Sequence, residues 1–326
     1  MGKRYLRTIV SDFQALTASA DITPVDLPVN PLSHLLLTLA LTKNVAAQAT
    51  NLGRLMMPIV QQITDLSVRH RGENIIQGSL EDLMVLNMIL DGTPPSVHEA
   101  AQADNEVQAI TIPLKFGRKA FWGEEAFPAT TRGQLRFHMT AGAISSLYDA
   151  AQWALEAVEL VEDDPRRYIK YTTLTRALTA TGRQRVPLPL GNQLLGVLLF
   201  DPSDETDATI SYAFGKVKIL KDNVEQYYAE SNWEALRADI VRRAPNWFTA
   251  FGHRHGQAAA DTDTGEELQT IADRAPLQYG YLDFDPHMDG AYSLDTQGVS
   301  TLDLDLNSDV STGTVRMIPV EWISTS

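Results

Sequence analysis

The feature that most constrains this fold is an internal repeat, in which the two halves of the chain carry the same order of elements. Residues 25–37 align without gaps with residues 186–198, and in both segments a Leu-Pro-apolar-turn element leads into an apolar run. Each half then continues with a strand pair, a serine-opened helix, a loop, two alternating strands and an apolar end. The pattern predicts two tandem domains of similar fold. The alternative is two unrelated β domains that share common turn chemistry.

Short apolar or alternating runs separated by turn residues dominate the sequence, which is typical of an all-β protein. The clearest is Leu302–Leu306, with three leucines on one face and two aspartates on the other. Such a strand has one buried and one solvated face. The predicted strands are 35–42, 63–70, 75–77, 107–116, 134–139, 168–174, 194–200, 209–220, 277–284, 300–306 and 314–322.

Two segments, 79–90 and 231–243, have a serine at the start and acidic residues in the first turn, and both are predicted to be helices. The segment 149–161 favours a helix by propensity, but the repeat makes it equivalent to strand 314–322, so a strand is predicted. The charged, proline-containing segment 162–167 is predicted to link the domains. The expected layout is an N-terminal arm (1–24), a first domain (25–163) and a second domain (164–326).

Composition restricts the function. The net charge is −14, and residues 281–326 contribute eight acidic side chains against one arginine, a net of −7. An acidic chain lacks the basic face that phosphate binding requires, so no direct sequence-specific nucleic-acid partner is expected. The chain has no cysteine, which excludes disulfides, thiolate nucleophiles and iron–sulfur clusters.

No signal peptide and no membrane span are predicted. The residues after the basic start of the chain contain no long apolar core. The longest apolar stretch, 194–200, is far shorter than the roughly 20 residues that cross a bilayer.

Residues 27–37 and 66–83 carry a family resemblance, the second as a strand–turn–strand–helix passage. Together with the repeat over residues 25–326, they make the chain resemble the double jelly-roll major capsid proteins of the virus lineage that includes tectiviruses, corticoviruses, adenoviruses and bacteriophage members. The resemblance implies an all-β fold of two tandem eight-stranded antiparallel jelly-roll barrels with short inserted helices.

The same resemblance implies a function. Three copies would form a homotrimer with a pseudo-hexagonal footprint that tiles an icosahedral shell, next to neighbouring trimers and to penton and minor capsid proteins. The expected location is the virion, with assembly in the host cytoplasm. The resemblance implies no enzymatic activity and carries over no catalytic residue, cofactor or metal ligand.

The N-terminal arm suggests a further partner. Its first residues are basic and apolar by turns: Lys3, Arg4, Tyr5, Leu6, Arg7, Ile9 and Val10. Contact with the surface of an internal membrane is one hypothesis. An ordinary disordered or strand-adding terminus is the alternative.

Several motifs could suggest binding chemistry. His253 and His255 have the spacing of a cupin metal pair, but they sit in a long irregular segment, 246–269, with loop composition. The run from Asp283 to Asp289 begins like a calcium loop, yet Thr296 stands where the closing glutamate belongs when Asp285 is counted as the first position. A solvated loop and a turn, respectively, are the favoured interpretations.

Other features are assigned to structure. Gly215 and Lys216 lack the remaining residues of a phosphate loop. Asp303 and Asp305 are expected on the solvent face of one strand. The tryptophans are scattered and suit core or interface positions: Trp122, Trp153, Trp233, Trp247 and Trp322.

Two other functions stay open from the residues alone. A glycan-binding or glycan-processing tandem sandwich would need an export signal and, for hydrolysis, paired carboxylates in a groove. A two-domain cupin-like enzyme would need metal ligands at the correct spacing.

Overall fold

The computed structural model describes residues 4–44, 57–99, 105–144, 146, 148–203, 212–244 and 278–325. By their contacts, these residues form two compact units, and the main boundary along the chain lies between Ile169 and Lys170. The first unit is built mainly from described residues 4–169, and the second from described residues 170–243 and 278–323. The domain boundaries given above stay a prediction.

The first unit contains two antiparallel sheets. Its elements are β1 (Arg4–Ala15), β2 (Val25–Asp26), β3 (Leu32–Lys43), α1 (Met57–Val60), β4 (Ile63–His70), β5 (Glu73–Gly78), α2 (Leu80–Asp91), β6 (Ser96–Glu99), β7 (Val107–Lys115), β8 (Leu135–Ala141) and β9 (Tyr148–Val161). One sheet has the order β1-β9-β3-β7-β6. The other has the order β5-β4-β8-β2.

The second unit repeats this plan. Its elements are β10 (Arg167–Thr172, which begins at the boundary), β11 (Leu174–Ala177), β12 (Gly182–Pro187), β13 (Gln193–Phe200), β14 (Lys216–Lys221), β15 (Val224–Glu225), β16 (Ser231–Asn232), α3 (Trp233–Arg243), β17 (Tyr279–Asp283), β18 (Leu294–Asp295), β19 (Leu302–Ser308) and β20 (Thr314–Ser324). One sheet runs β11-β20-β13-β17, with β18 beside β13. The other runs β12-β19-β14-β15, with β16 beside β14.

Strand for strand, the two sheet orders correspond. The β1-β9-β3-β7 order of the first unit matches β11-β20-β13-β17, and β2-β8-β4-β5 matches β12-β19-β14-β15. In both units the longest helix occupies a corresponding place in the chain, after β5 or β15 and before β7 or β17. Two facing four-stranded antiparallel sheets with this connectivity form a jelly roll. The predicted repeat is therefore confirmed, including the gapless alignment that leads into β3 and β13.

Alternating side chains build each core. In β19 the leucines at 302, 304 and 306 are at most 1% exposed, and they join β13, β14 and β20 in one apolar cluster. In the first unit Phe137 of β8 stacks on Trp153 of β9, 6.1 Å between ring centres, and so joins the two sheets. Because residues two apart in a strand share a face, these runs bury one face of each sheet.

Helix α2 lies buried along most of its length. Ser79 caps its start by accepting a hydrogen bond from the Asp82 amide, at 3.3 Å. Gly92 ends it in the left-handed conformation, φ 71°, with its amide donating to Met88. Its polar Asn87 donates to the Leu83 carbonyl and accepts from the Lys115 amide of β7. These two bonds provide partners for the buried side-chain amide of Asn87.

Several predicted elements have different bounds or lie outside the description. Residues 4–15, assigned by sequence to an arm, form strand β1. The strand predicted at 209–220 begins only at Lys216 in the described part of the chain. The long segment 246–269, with His253 and His255, lies outside the described residues, as do Lys3 and Trp247.

Candidate functional site: the β1 edge

Strand β1 forms an edge of the first sheet, because among the described strands it pairs only with β9. Its pairing runs antiparallel from Arg4, opposite Val161, to Ala15, opposite Gln152, with two register shifts. Four large apolar side chains on it are about half exposed or more: Tyr5 (59%), Leu6 (49%), Ile9 (65%) and Phe13 (50%). An exposed apolar edge strand invites pairing or packing with another surface.

The basic residues of β1 are engaged by glutamates of β9 and its end. Arg7 makes a short ion pair with Glu156, and Arg4 lies 3.6 Å from Glu162. Thr8 also donates to Glu159, at 2.5 Å. These contacts offset the positive charge, so the exposed face of β1 is mainly apolar and less cationic than the sequence suggests.

An aromatic side chain from a neighbouring loop extends the apolar face. Phe121 is 53% exposed, and its ring lies 5.1 Å from the ring of Tyr5 in an edge-to-face contact. Its backbone is in the left-handed region, φ 61°, which is costly for a bulky residue. The hydrogen bond from its amide to the Ser33 hydroxyl, 2.8 Å, holds this conformation. We call Tyr5, Ile9, Phe13 and Phe121 the β1 face.

Two ion pairs, one fully buried and one with a buried lysine, support the loop that carries Phe121. The guanidinium of Arg118 contacts both carboxylate oxygens of Glu125, and both side chains are 3% exposed. Lys115, also buried, pairs with Asp91 at the end of α2 and donates to the Arg118 carbonyl, at 3.2 Å. Because each buried charge has an opposite partner and further hydrogen bonds, burial is tolerated here. None of these charges was identified from the sequence, since an isolated acidic or basic residue carries no signal of burial.

His34 lies beneath Phe121. Its ring contacts the Phe121 ring edge-on at 5.1 Å, and Nδ1 shares a 2.9 Å hydrogen bond with the Ser33 hydroxyl. Burial lowers the pKa of His34 to about 4, with Lys115 and Arg7 acting in the same direction and Asp91 opposing them. The imidazole is therefore neutral at physiological pH.

The predicted turn from Asp283 to Asp289 in the second unit is held by arginine. Arg243 bonds both carboxylate oxygens of Asp283 at 2.7 and 2.8 Å, and Arg242 adds a third bond at 2.9 Å. The Asp285 carboxylate accepts from the Gly290 amide, at 2.7 Å. Burial by itself raises the pKa of Asp283, but the hydrogen bonds and charge of Arg243 outweigh burial and lower it. Arginine side chains thus occupy the first carboxylate of this acidic run.

The aspartates of β19 lie opposite its leucines, on a charged sheet face. Asp305 is only 7% exposed and pairs with Arg183 of β12 at 3.2 Å. Asp303 lies 4.0 Å from Arg185, which is also in β12. Lys216 pairs with Glu230 at 3.6 Å, so this lysine belongs to the charged face too. Cross-strand ion pairs of this kind stabilise a sheet modestly.

The remaining sequence features have structural positions. Trp153 and Trp233 are buried in the cores, Trp322 is half-buried, and Trp122 lies within 5.5 Å of the Arg118 and Lys119 charges. Across the described ranges, no three or more histidine, aspartate or glutamate side chains are placed to hold a metal ion. No helix in the part of the chain that the structure describes is long and apolar enough to cross a membrane.

Comparison with solved structures finds viral capsid proteins. The major capsid protein P2 of bacteriophage PM2 is 12% identical with a TM-score of 0.60, covering 98% of this chain and 97% of that one. The major capsid protein of STIV is 13% identical with a TM-score of 0.61, covering 99% and 97%. The Faustovirus major capsid protein is 8% identical with a TM-score of 0.57, covering 100% and 90%.

No protein-family model and no curated protein sequence matches the chain. At these identities, the likeness to solved structures concerns the fold. It extends over both units and nearly the full length of each capsid protein. The chain therefore has the double jelly-roll fold of these viral major capsid proteins.

Proposed function

We propose that this chain is the major capsid protein of a virus, a structural subunit without enzymatic activity. The observation that carries the proposal is the end-to-end match of two jelly rolls to capsid subunits of nearly equal length. Fold alone is a weak guide to function. Here the site chemistry agrees, because the buried charges Lys115, Arg118 and Glu125 are each engaged in an ion pair.

The proposed assembly is a homotrimer whose six jelly rolls give a pseudo-hexagonal footprint on an icosahedral shell. Closed threefold symmetry requires a heterologous interface, in which different faces of neighbouring copies meet. A chain of two similar units supplies two such faces. Neighbouring trimers, penton proteins and minor capsid proteins are the further partners, and assembly takes place in the host cytoplasm before the protein becomes part of the virion.

Size-exclusion chromatography with light scattering tests this proposal. We expect a stable species of three times 36.0 kDa, and six-lobed capsomers in electron micrographs of native particles. A monomer that binds sugar on a glycan array would instead support the tandem-sandwich lectin alternative and overturn the capsid assignment.

The exposed β1 face supports a second proposed partner, the surface of an internal membrane. Because Arg4 and Arg7 are paired with glutamates, the contact would depend on the apolar side chains more than on anionic lipid charge. Deleting the terminus would also remove paired residues of the sheet, so a substitution is the sharper test.

Vesicle flotation with Ile9→Asp measures this contact. Ile9 is 65% exposed, so the change should leave folding intact and reduce the floated fraction severalfold. Val224→Asp in the second unit, at a residue 61% exposed, is the matched control and should float as the parent does. Equal flotation of the Ile9 variant and the parent would exclude membrane contact through this face.

A further inference from the structure

Three polar atoms at one end of the first unit are buried without a hydrogen-bond partner among the described residues. They are Nζ of Lys43, Oε2 of Glu106 and Nε2 of Gln108. The side chains of Lys43 and Gln108 are 0% exposed. Unpartnered buried polar atoms are rare in folded proteins, and several together usually mark an ordered water or ligand.

The backbone brings these residues together. The Lys43 amide donates to the Glu106 carbonyl at 2.9 Å. In the β3–β7 register, Leu41 lies opposite Gln108, and in the β3–β9 register Lys43 lies opposite Tyr148. Lys43 and the core leucine Leu41 are both buried, whereas Thr42 between them is half-buried, so Lys43 lies on the same face as Leu41. Since Leu41 lies opposite Gln108, the Lys43 and Gln108 side chains share this buried face of the sheet.

Tyr148 of β9 contacts one of these three polar residues, Gln108. Its hydroxyl lies 3.5 Å from Oε1 of Gln108. Burial raises the pKa of Tyr148, so the hydroxyl keeps its proton and donates towards this oxygen. That contact fixes the orientation of the Gln108 amide, and it leaves Nε2 as a donor without an acceptor.

The chemistry of the three free atoms selects the occupant. Lys43 and Gln108 offer donors, and Glu106 offers an acceptor. A buried ammonium without a partner would cost several kcal/mol. An anion at this position would be repelled by the Glu106 carboxylate, and a cation would be repelled by the Lys43 ammonium. One water molecule can accept hydrogen bonds from Lys43 and Gln108 and donate one to Glu106.

We propose that Lys43, Glu106 and Gln108 form a binding site for an ordered water molecule, which bridges the buried ammonium and the carboxylate into one ion pair. The bridge joins the end of β3 to the residue that precedes β7. It thereby fixes the register of these two strands where the apolar core ends.

A double-mutant cycle with Lys43→Met and Glu106→Gln tests this site. Each single substitution leaves one charge without its counterion, so we expect each to lower the folding equilibrium constant at least tenfold in urea unfolding. The double variant should be no less stable than the worse single variant, since both members of the pair are then gone. Lys119→Met, at an exposed lysine, is the control and should change little.

Three outcomes would overturn the proposal. The first is a Lys43→Met variant that is as stable as the parent or more stable, which would mean that the ammonium does not stabilise the fold through a bridged ion pair. The second is a crystal structure with direct Lys43–Glu106 contact and no water between them. The third is stabilisation by chloride or phosphate relative to acetate at equal ionic strength, which would identify an anion as the occupant. Water density within hydrogen-bonding distance of all three atoms would support it.

Discussion

At the scale of single residues, Gly196 in β13 shows how closely the second core is packed. A Cβ atom built there would lie 2.2 Å from the Tyr281 hydroxyl oxygen and 2.7 Å from the Leu282 carbonyl oxygen. Tyr281 is itself fully enclosed, 1% exposed. Neither the ring nor the backbone can move without disturbing the pairing of β13 with β17.

Gly196→Ala should therefore lower the free energy of unfolding by about 3 kcal/mol, at the upper end of overpacking costs. Gly298→Ala is the control, because nothing lies within 4 Å of a Cβ there and only its φ of 70° opposes the change. That variant should lose about 1 kcal/mol. Urea denaturation measures both, and equal losses would contradict the steric explanation.

His34 makes the stability of the first unit sensitive to acid. Its pKa of about 4 in the folded protein lies below the ordinary 6.5, so the unfolded chain binds the proton more tightly. Its contribution is present in full above pH 6.5 and is lost as the pH falls towards 4. The total loss approaches about 3 kcal/mol.

Comparing the parent with His34→Asn isolates this effect from other titrating groups. The parent should lose more unfolding free energy than the variant between pH 7 and pH 4. The charges of Asp91, Lys115 and Arg7 act on the ring, and they are retained in both proteins. Identical pH dependence of the two proteins would show that His34 does not contribute.

At the scale of elements, the ends of α3 and β17 are joined by the Arg243–Asp283 pair. Asp283→Asn removes the charge while both arginines remain, one of them largely buried. Breaking such a pair from one side costs about 2–3 kcal/mol when the site is partly exposed. We expect a loss of that size in chemical denaturation.

Asp289→Asn in the same loop is the matched control. Asp289 is exposed and accepts a hydrogen bond from the Ala291 amide, at 2.9 Å, and asparagine retains that acceptor. Its stability should change by less than about 0.5 kcal/mol. If calcium protected the Asp283 variant or the parent against unfolding, the arginine-held arrangement would be wrong.

Elements with strong local or repeated signals could be predicted from the sequence. The residues of β4 match the prediction 63–70, and α2 begins after the predicted cap Ser79. The repeat also identified 149–161 as a strand against its helical propensity, and β9 spans Tyr148–Val161. The repeat makes this segment equivalent to β20, and that equivalence predicted it better than its helix propensity, because tertiary context overrides weak local preferences.

Edge elements were harder to predict. β1 has polar and apolar side chains exposed on both faces, and β12 alternates arginine with glutamine, so neither shows a buried stripe. The buried charges Lys115, Arg118 and Glu125 were missed for a related reason. Their environment is set by contacts between distant segments, such as the Lys115–Asp91 pair, and composition and spacing do not encode those contacts.

At the scale of the whole molecule, net charge governs how copies associate. Each chain carries −14, and a trimer brings three such charges together, so long-range repulsion opposes the proposed assembly. Salt screens charges over a Debye length of about 10 Å at 0.1 M and about 3 Å at 1 M. The apolar contacts that would hold copies together are strengthened or unchanged by the same salts.

The proposed trimer should therefore dissociate less readily as ionic strength rises. The same is expected as the pH is lowered moderately from 8 to 6.5, which lies above the range where His34 opposes folding. Sedimentation of diluted protein in 0.05, 0.2 and 1 M sodium chloride measures the dissociation constant, which we expect to fall severalfold across the series. Ile9→Asp adds one negative charge to an exposed apolar site and should steepen this dependence. If the dissociation constant rises with salt, complementary charge pairs across the interface outweigh the net repulsion between copies.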